Sequence, residues 1–324
     1  MALPPLFFVD RAARGRLRLT GRDRQSFLQG MVTNDVAALQ PGQGCYAFHL
    51  DATGHVLSDL RVICTEDALL LDVEPGAASA LAQSLEKHLI MERCRIEDVS
   101  EAEAQFLVGG TGIGHALASY GFAEATSWEE GRNVRIALDM TGESSACLAA
   151  TRLLTVPAFD LYAPAAAASA LRDVFTSAGA VEVSEADLEP YRIEAGIPRF
   201  GADMDSRVLA PETGQKARGI SYKKGCYVGQ EIVARIDARG HTNRGLVGFT
   251  LSEVVPAGSP VVAEGREVGR VTSSALSPST AVAIGLGYIR NEHTAPGTPV
   301  TVAGKPATVA ALPFVAPAPE GQAA

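Results

Sequence analysis

Residues 223–240 read KKGCYVGQEIVARIDARG, from Lys223 to Gly240, and set one cysteine between glycines, behind two lysines, at the start of a helix. Gly229 permits a tight turn, after which Glu231, Ile232, Val233 and Ile236 fall at helical spacing. Glu231 sits in the first turn and Arg235 and Arg239 follow at intervals of four. Charge order and macrodipole therefore both favour the helix, and Gly240 stands where it should stop. Cys226 then lies near the positive end of a helix and beside Lys223 and Lys224, a setting that stabilises the thiolate, the nucleophilic and metal-binding form. The plainer reading is a buried cysteine used as a small hydrophobe.

Around this stretch, residues 214–245 hold seven lysines and arginines against only Glu231 and Asp237, in a chain of formal charge −9. The overall charge disfavours non-specific nucleic-acid binding, and the local excess suits a small anionic ligand or a solvated basic face. At 324 residues and 47% hydrophobic content, the chain is long enough for two or three domains. No apolar run approaches the roughly 18 residues of a membrane span, and the opening MALPPLFFVD has neither the basic start nor the apolar core of a signal peptide. The arginines at 11, 14, 16, 18, 22 and 24 suggest a transit peptide, but Asp10 and Asp23 interrupt them. Arg16 to Thr20 alternates like an exposed strand leading into folded sequence. A cytoplasmic monomer with no membrane or direct nucleic-acid partner is the expectation. The five cysteines, at 45, 64, 94, 147 and 226, include no CxxC and no zinc-like pairing with histidine. That argues against a disulfide framework and against a stably bound metal.

The first half mixes short strands (45–50, 56–64, 68–73) with a helix near 76–89. Further strands at 105–108 and 134–138 and an alanine-rich helix near 165–177 follow, without regular βαβ alternation. This predicts an α+β class with two packed units. After Gly245 the texture turns to short Val-rich strands at 246–251, 260–263, 267–272, 283–289 and 300–302, which reads as a small β-barrel. The expected division is a ligand-binding region over 1–240, itself two interleaved α+β subdomains, a barrel over 241–315 and a disordered tail over 316–324. Gly109-Gly110-Thr111-Gly112-Ile113-Gly114 follows a strand, but His115 stands where a dinucleotide-binding loop needs glycine, so a flexible turn is expected.

A second polar constellation occupies 184–205, SEADLEPYRIEAGIPRFGADMD. Ser184 and Asp187 form a cap candidate for a helix running to Ala195, stopped by Gly196 and Pro198. Tyr191, Arg192 and Glu194 lie near its end. A carboxylate fixed there can accept two parallel hydrogen bonds from an amino-pyrimidinone edge, although on spacing alone such a glutamate is more often a surface or ion-paired residue.

With Lys224-Gly225-Cys226-Tyr227-Val228-Gly229-Gln230-Glu231 and Arg235, the sequence resembles the YgfZ-type folate-binding proteins, relatives of the aminomethyltransferase T-protein of the glycine cleavage system. The likeness extends over Leu19 to Arg24, Phe27 to Gly30, Val32-Thr33-Asn34-Asp35-Val36, Asp51 to Leu60, Arg192 to Gly196 and Gly201-Ala202-Asp203. It implies a three-domain ring, two α+β domains and a barrel, around a central cavity for tetrahydrofolate. By the same resemblance Glu194 becomes the pterin contact, with Tyr191, Arg192, Lys224, Gln230 and Arg235 as further cofactor-binding candidates. The basic residues would then meet the anionic tail. T-proteins carry paired aspartates where this chain has Ser58-Asp59. A serine neither stabilises a developing cation nor acts unaided as a base, which disfavours aminomethyl transfer, while Asp59 remains as a catalytic candidate or as a solvent-facing strand residue.

The resemblance further implies a role in assembly or repair of iron-sulfur proteins, especially four-iron ones, and an indirect effect on thiomodified tRNA. Cys226 would be the reactive thiol, and assembly proteins or client enzymes the partners. The alternative is a folate-dependent aminomethyltransferase or demethylase. The histidines at 49, 55, 88, 115, 241 and 293 form no catalytic pair in sequence; His241, near Arg239 and Arg244, is either a ligand-site or a linker residue.

Overall fold

The structure, a computed structural model, describes residues 2–138 and 144–315. The chain folds as two α+β domains and a C-terminal closed barrel. The first domain is a five-stranded sheet in the order Gly44–Leu50, Val56–Cys64, Ala68–Val73, Gly15–Thr20, Arg95–Asp98, all neighbours antiparallel. One face packs on the helices Arg24–Gln29 and Ala78–Glu86 through Leu17, Leu19, Leu28, Leu69, Leu71 and Leu81.

Period-two alternation explains the Gly15–Thr20 strand, but its expected exposure is corrected. Leu17 and Leu19 face the core, while Arg16 on the opposite face is fully buried against the second domain. Its guanidinium donates to the carbonyls of Arg11 and Ala12 and to Gln105 Oε1, each at 3.2 Å. A buried arginine is tolerated here because both terminal nitrogens find acceptors, although Nε has none.

The second domain orders its strands Val181–Glu182, Phe7–Asp10, Glu103–Gly109, Ala158–Pro164, Ser145–Thr151, Asn133–Ala137. The N-terminal Phe7–Asp10 strand therefore belongs to this sheet, and the chain crosses from it into the first. The two sheets meet where Ile63 and Leu70 of the first contact Ala149 and Tyr162 of the second. The glycine turn at 109–114 is no flexible turn. Gly112 N donates to Pro5 O at 2.7 Å, and a Cβ on Gly110, at φ +116°, would stand 2.2 Å from that carbonyl. The N-terminal segment is docked there.

The barrel closes in the order Arg244–Leu251, Ala283–Arg290, Arg266–Leu276, Pro260–Ala263, Pro299–Val302, Lys305–Ala310. Its interior is filled by Phe249, Val261, Val271, Ile289 and Val309. The Glu185–Glu194 helix opens with the expected box, Asp187 N donating to Ser184 Oγ at 3.3 Å and Ser184 N to Asp187 Oδ2 at 2.9 Å. The proposed 316–324 tail lies outside the described residues.

Candidate functional site

A cavity of about 510 Å³ opens between the two α+β domains and the Glu185–Glu194 helix, within the size range of ligand pockets. Its apolar wall includes Leu153, Leu154, Leu188 and Ile197, and its polar wall includes Tyr46, Asp59, Arg61, Glu189, Arg199 and Arg218. No barrel residue lines it.

Asp59 points inward from the Val56–Cys64 strand and is buried, not solvent-facing. Its Oδ2 accepts a hydrogen bond from the Tyr46 hydroxyl at 2.9 Å, and its Oδ1 has no partner. Burial pushes the carboxyl up to about 6, helped by Glu74 and opposed by Arg61 and the Tyr46 hydroxyl. A carboxyl moved toward neutrality in a cleft has the character of a proton-transfer group. The Tyr46 ring is held from the other side by the Arg218 guanidinium, 4.0 Å from its centroid, whose charge is answered by Glu130. Ser58 turns away from the cavity and donates to the Asp59 carbonyl at 3.0 Å.

Arg192 reaches the cavity, but its donors are taken up by Glu189 Oε2 at 2.9 Å, Asp203 Oδ2 at 2.8 Å and Ser273 Oγ at 3.1 Å. It braces the wall and the barrel together. Arg199 was not singled out by the sequence. Its side chain is 43% exposed, and its ion pair with Glu189 is a loose 3.7 Å. Among the cavity-lining arginines it is well placed to meet an anion at the mouth.

Glu194 and Tyr191 occupy other places. Glu194 is fully buried and absent from the cavity wall. Its Oε1 accepts from Ser277 Oγ and from Ser279 N at 2.9 Å, and its Oε2 from Ser279 Oγ at 3.0 Å. The carboxylate thus clasps the helix to the barrel, which the sequence hid because its partners lie more than eighty residues away. The Tyr191 hydroxyl accepts from Leu3 N at 2.8 Å, tying down the N-terminal segment. Glu194→Ala leaves the buried Ser277 hydroxyl, and the donors of the more exposed Ser279, without their acceptor. Its expected cost is about 2–3 kcal/mol, read as a lower melting temperature, while a ligand titrated into the cavity retains its affinity.

Cys226 is exposed, whereas Cys45, Cys64, Cys94 and Cys147 are buried or half-buried. The loop that carries it is pinned at both ends. Lys224 Nζ donates to the carbonyls of Gln29 at 2.5 Å, Val32 at 2.6 Å and Asn34 at 2.9 Å, and Val228 N donates to Gly30 O at 3.1 Å. Burial brings the Lys224 ammonium down to about 8, against Asp35 and Cys45, so its charge is spent inside the protein. Gly229, at φ +83°, turns the chain against Asp51 O, where a Cβ would come within 2.6 Å. The Gln230–Arg239 helix follows as expected, with Arg235 paired to Glu231 at 2.6 Å.

None of Lys224, Cys226, Gln230 and Arg235 lines the cavity. The candidate residues therefore fall into two places, Asp59 and Arg192 at the cavity and Cys226 on a surface loop. Much of the basic excess at 214–245 is also spoken for, in Lys216–Asp237, Arg218–Glu130 and Arg244–Glu212 pairs. Only Arg218 of that segment reaches the cavity. His241 is exposed, with Nδ1 near Arg239 O at 3.1 Å.

Comparison with known proteins agrees with this architecture. Residues 7–218 match the GCVT N-terminal domain and residues 244–316 the glycine cleavage T-protein C-terminal barrel domain. A chloroplastic protein of Arabidopsis thaliana, named as a candidate transferase, is 25% identical over 91% of this chain and 67% of its own length. The aminomethyltransferase of Streptomyces avermitilis is 29% identical over 94% of this chain and 85% of its own. The crystal structure of the glycine cleavage system aminomethyltransferase T from Bartonella henselae shares the fold with a TM-score of 0.86, at 21% identity, covering 97% of this chain and 88% of that one.

Proposed function

Starting from a chain that belongs to the glycine cleavage T-protein family, we propose that it is a tetrahydrofolate-binding accessory protein that maintains iron-sulfur proteins through Cys226. Tetrahydrofolate, when bound, supplies nitrogens that carry one-carbon units. The cavity fits such a ligand by its volume, its leucine-lined wall, the partnerless Asp59 Oδ1 and the exposed Arg199 at its mouth. Asp59 would hold or release a proton at a ring nitrogen, Leu153, Leu154 and Leu188 would exclude water from the ring, and Arg199 would attract carboxylates.

The observation that carries the accessory role is the exposed Cys226 thiol on a loop held by Lys224 and Val228. A thiol that is exposed on a hydrogen-bonded loop is open to a partner, unlike a cysteine packed in a core. One cysteine cannot hold a cluster, which takes three or four ligands, so Cys226 would act on iron or sulfur shared with an assembly protein or a client enzyme. The effect on thiomodified tRNA would be indirect, through enzymes that need clusters. No helix among the described residues is long and apolar enough to cross a membrane, and a cytoplasmic site of action is part of the proposal.

The test is the activity of a four-iron enzyme such as aconitase, under oxidative stress, in a host lacking the gene and complemented with wild type or Cys226→Ala. Rescue by the wild type alone is expected, with the melting temperature of the variant unchanged because the residue is exposed. Equal rescue by both would remove the thiol from the function.

Asp59 favours a second reading, a folate-dependent one-carbon transferase or demethylase, since an acid displaced to about 6 sits in the cavity. That reading predicts one-carbon transfer from an amine donor to tetrahydrofolate and its loss in Asp59→Asn. No turnover with any of a panel of amine donors would leave it unsupported.

A further inference from the structure

We propose that Asn34 is a positioning residue shared by the cavity and the Cys226 loop, so that occupancy of the one changes the reactivity of the other. The inference rests on the reading that the cavity takes folate. The two places are separate on the surface, yet one short segment, Gln29 to Asn34, touches both.

On the cavity side, both amide hydrogens of Asn34 are committed. Nδ2 donates to Tyr46 O at 2.8 Å and to Arg218 O at 3.0 Å. These two residues carry the Tyr46–Arg218 stack, and the Tyr46 hydroxyl donates to Asp59. Thr33 repeats the tie, its hydroxyl donating to Gly219 O at 2.6 Å and accepting from Phe48 N at 2.9 Å. On the other side, the Asn34 carbonyl accepts from Lys224 Nζ, two residues before Cys226, within the cage completed by Gln29 and Val32.

An amide is the side chain this place requires. A carboxylate would set a charge against two carbonyl oxygens, and an alanine would leave both carbonyls without a donor. Because both bonds go to main-chain carbonyls, a ligand that shifts the backbone of Tyr46 or Arg218 by a fraction of an ångström must move Asn34 or break its bonds. The Asn34 carbonyl belongs to the same residue and carries the shift to Lys224. Coupling of this kind is reciprocal, so the state of the loop would in turn alter affinity at the cavity.

The experiment measures the rate of Cys226 alkylation by iodoacetamide with and without saturating 5-formyltetrahydrofolate. Cys226→Ser sets the background from the other cysteines, and calorimetry checks occupancy for every variant. In the wild type the ligand is expected to change the rate by about fivefold or more. In Asn34→Ala, at saturation, the change should disappear. Lys224→Met cuts the link at its other end and should behave alike, which keeps the test informative if Asn34→Ala fails to fold. An unchanged wild-type rate at proven saturation overturns the coupling, as does a ligand response retained in both variants. Absence of any binding heat overturns the folate reading and the coupling built on it.

Discussion

Asp72→Asn is expected to destabilise the protein by about 3–5 kcal/mol and to lower its melting temperature by on the order of 10 °C. Asp72 is completely buried and joins the two sheets at one carboxylate. Oδ1 accepts from Arg14 Nε at 2.6 Å. Oδ2 accepts from an Arg61 terminal nitrogen at 2.9 Å and from Gln105 Nε2 and the Tyr162 hydroxyl, each at 3.0 Å. Asparagine keeps the shape but removes the charge from between two buried guanidinium groups and turns donors toward donors. Burial alone would raise this carboxyl, yet Arg14 and Arg61 overcome it and hold it well below the usual carboxylate range. Its stabilisation is therefore complete above the unfolded value near 4 and fades as the pH falls toward the folded one. Chemical denaturation of both proteins at pH 7.5 and near pH 3 should show the gap narrowing in acid; a constant gap would assign the loss to packing.

Asp59→Asn should act in the opposite direction, raising stability by about 3 kcal/mol at pH 7.5. An aspartate releases its proton near 3.9 in the unfolded chain and near 6 in the fold. Between those values the folded state binds more protons, so stability falls as the pH rises from about 4 to 6 and stays reduced above. Removing the carboxyl removes that penalty, and the asparagine oxygen can still accept from Tyr46. Near pH 4 the gain should be small. Denaturation midpoints of the two proteins at both pH values check this, and an equal gain at both would mean that ionisation is not its source. A stabilising loss of a buried carboxyl fits a stability cost borne for function, and on the one-carbon-transfer reading the same variant should lose that transfer.

The fold was legible where pattern and side-chain type agree. The strands Val56–Cys64 and Pro260–Ala263 and the capped Glu185–Glu194 helix follow alternation, β-branching and a Ser/Asp box. Ser145–Thr151 and Ala158–Pro164 escaped because alanine carries little strand signal. The barrel's sixth strand, Lys305–Ala310, is short and starts on a lysine and a proline. The sequence singled out Asp59 and the Cys226 loop as candidates, but not the direction in which the candidate side chains point. A carboxylate near a helix end could face the cavity or the barrel, and only the position of Ser277 and Ser279 turns Glu194 to the barrel. In the same way, Lys224 beside Cys226 suggested a charge for the thiolate, whereas three carbonyls from residues 29–34 claim its ammonium.

Calorimetric titration of 5-formyltetrahydrofolate into the wild type and into Ala186→Trp bears most directly on the cavity around which this function is built. Ala186 is an exposed residue of the cavity wall, so an indole there fills the space without disturbing a core. One ligand per chain in the wild type, and none in the variant, is the expected result. No binding to the wild type, or equal binding to both, would contradict it.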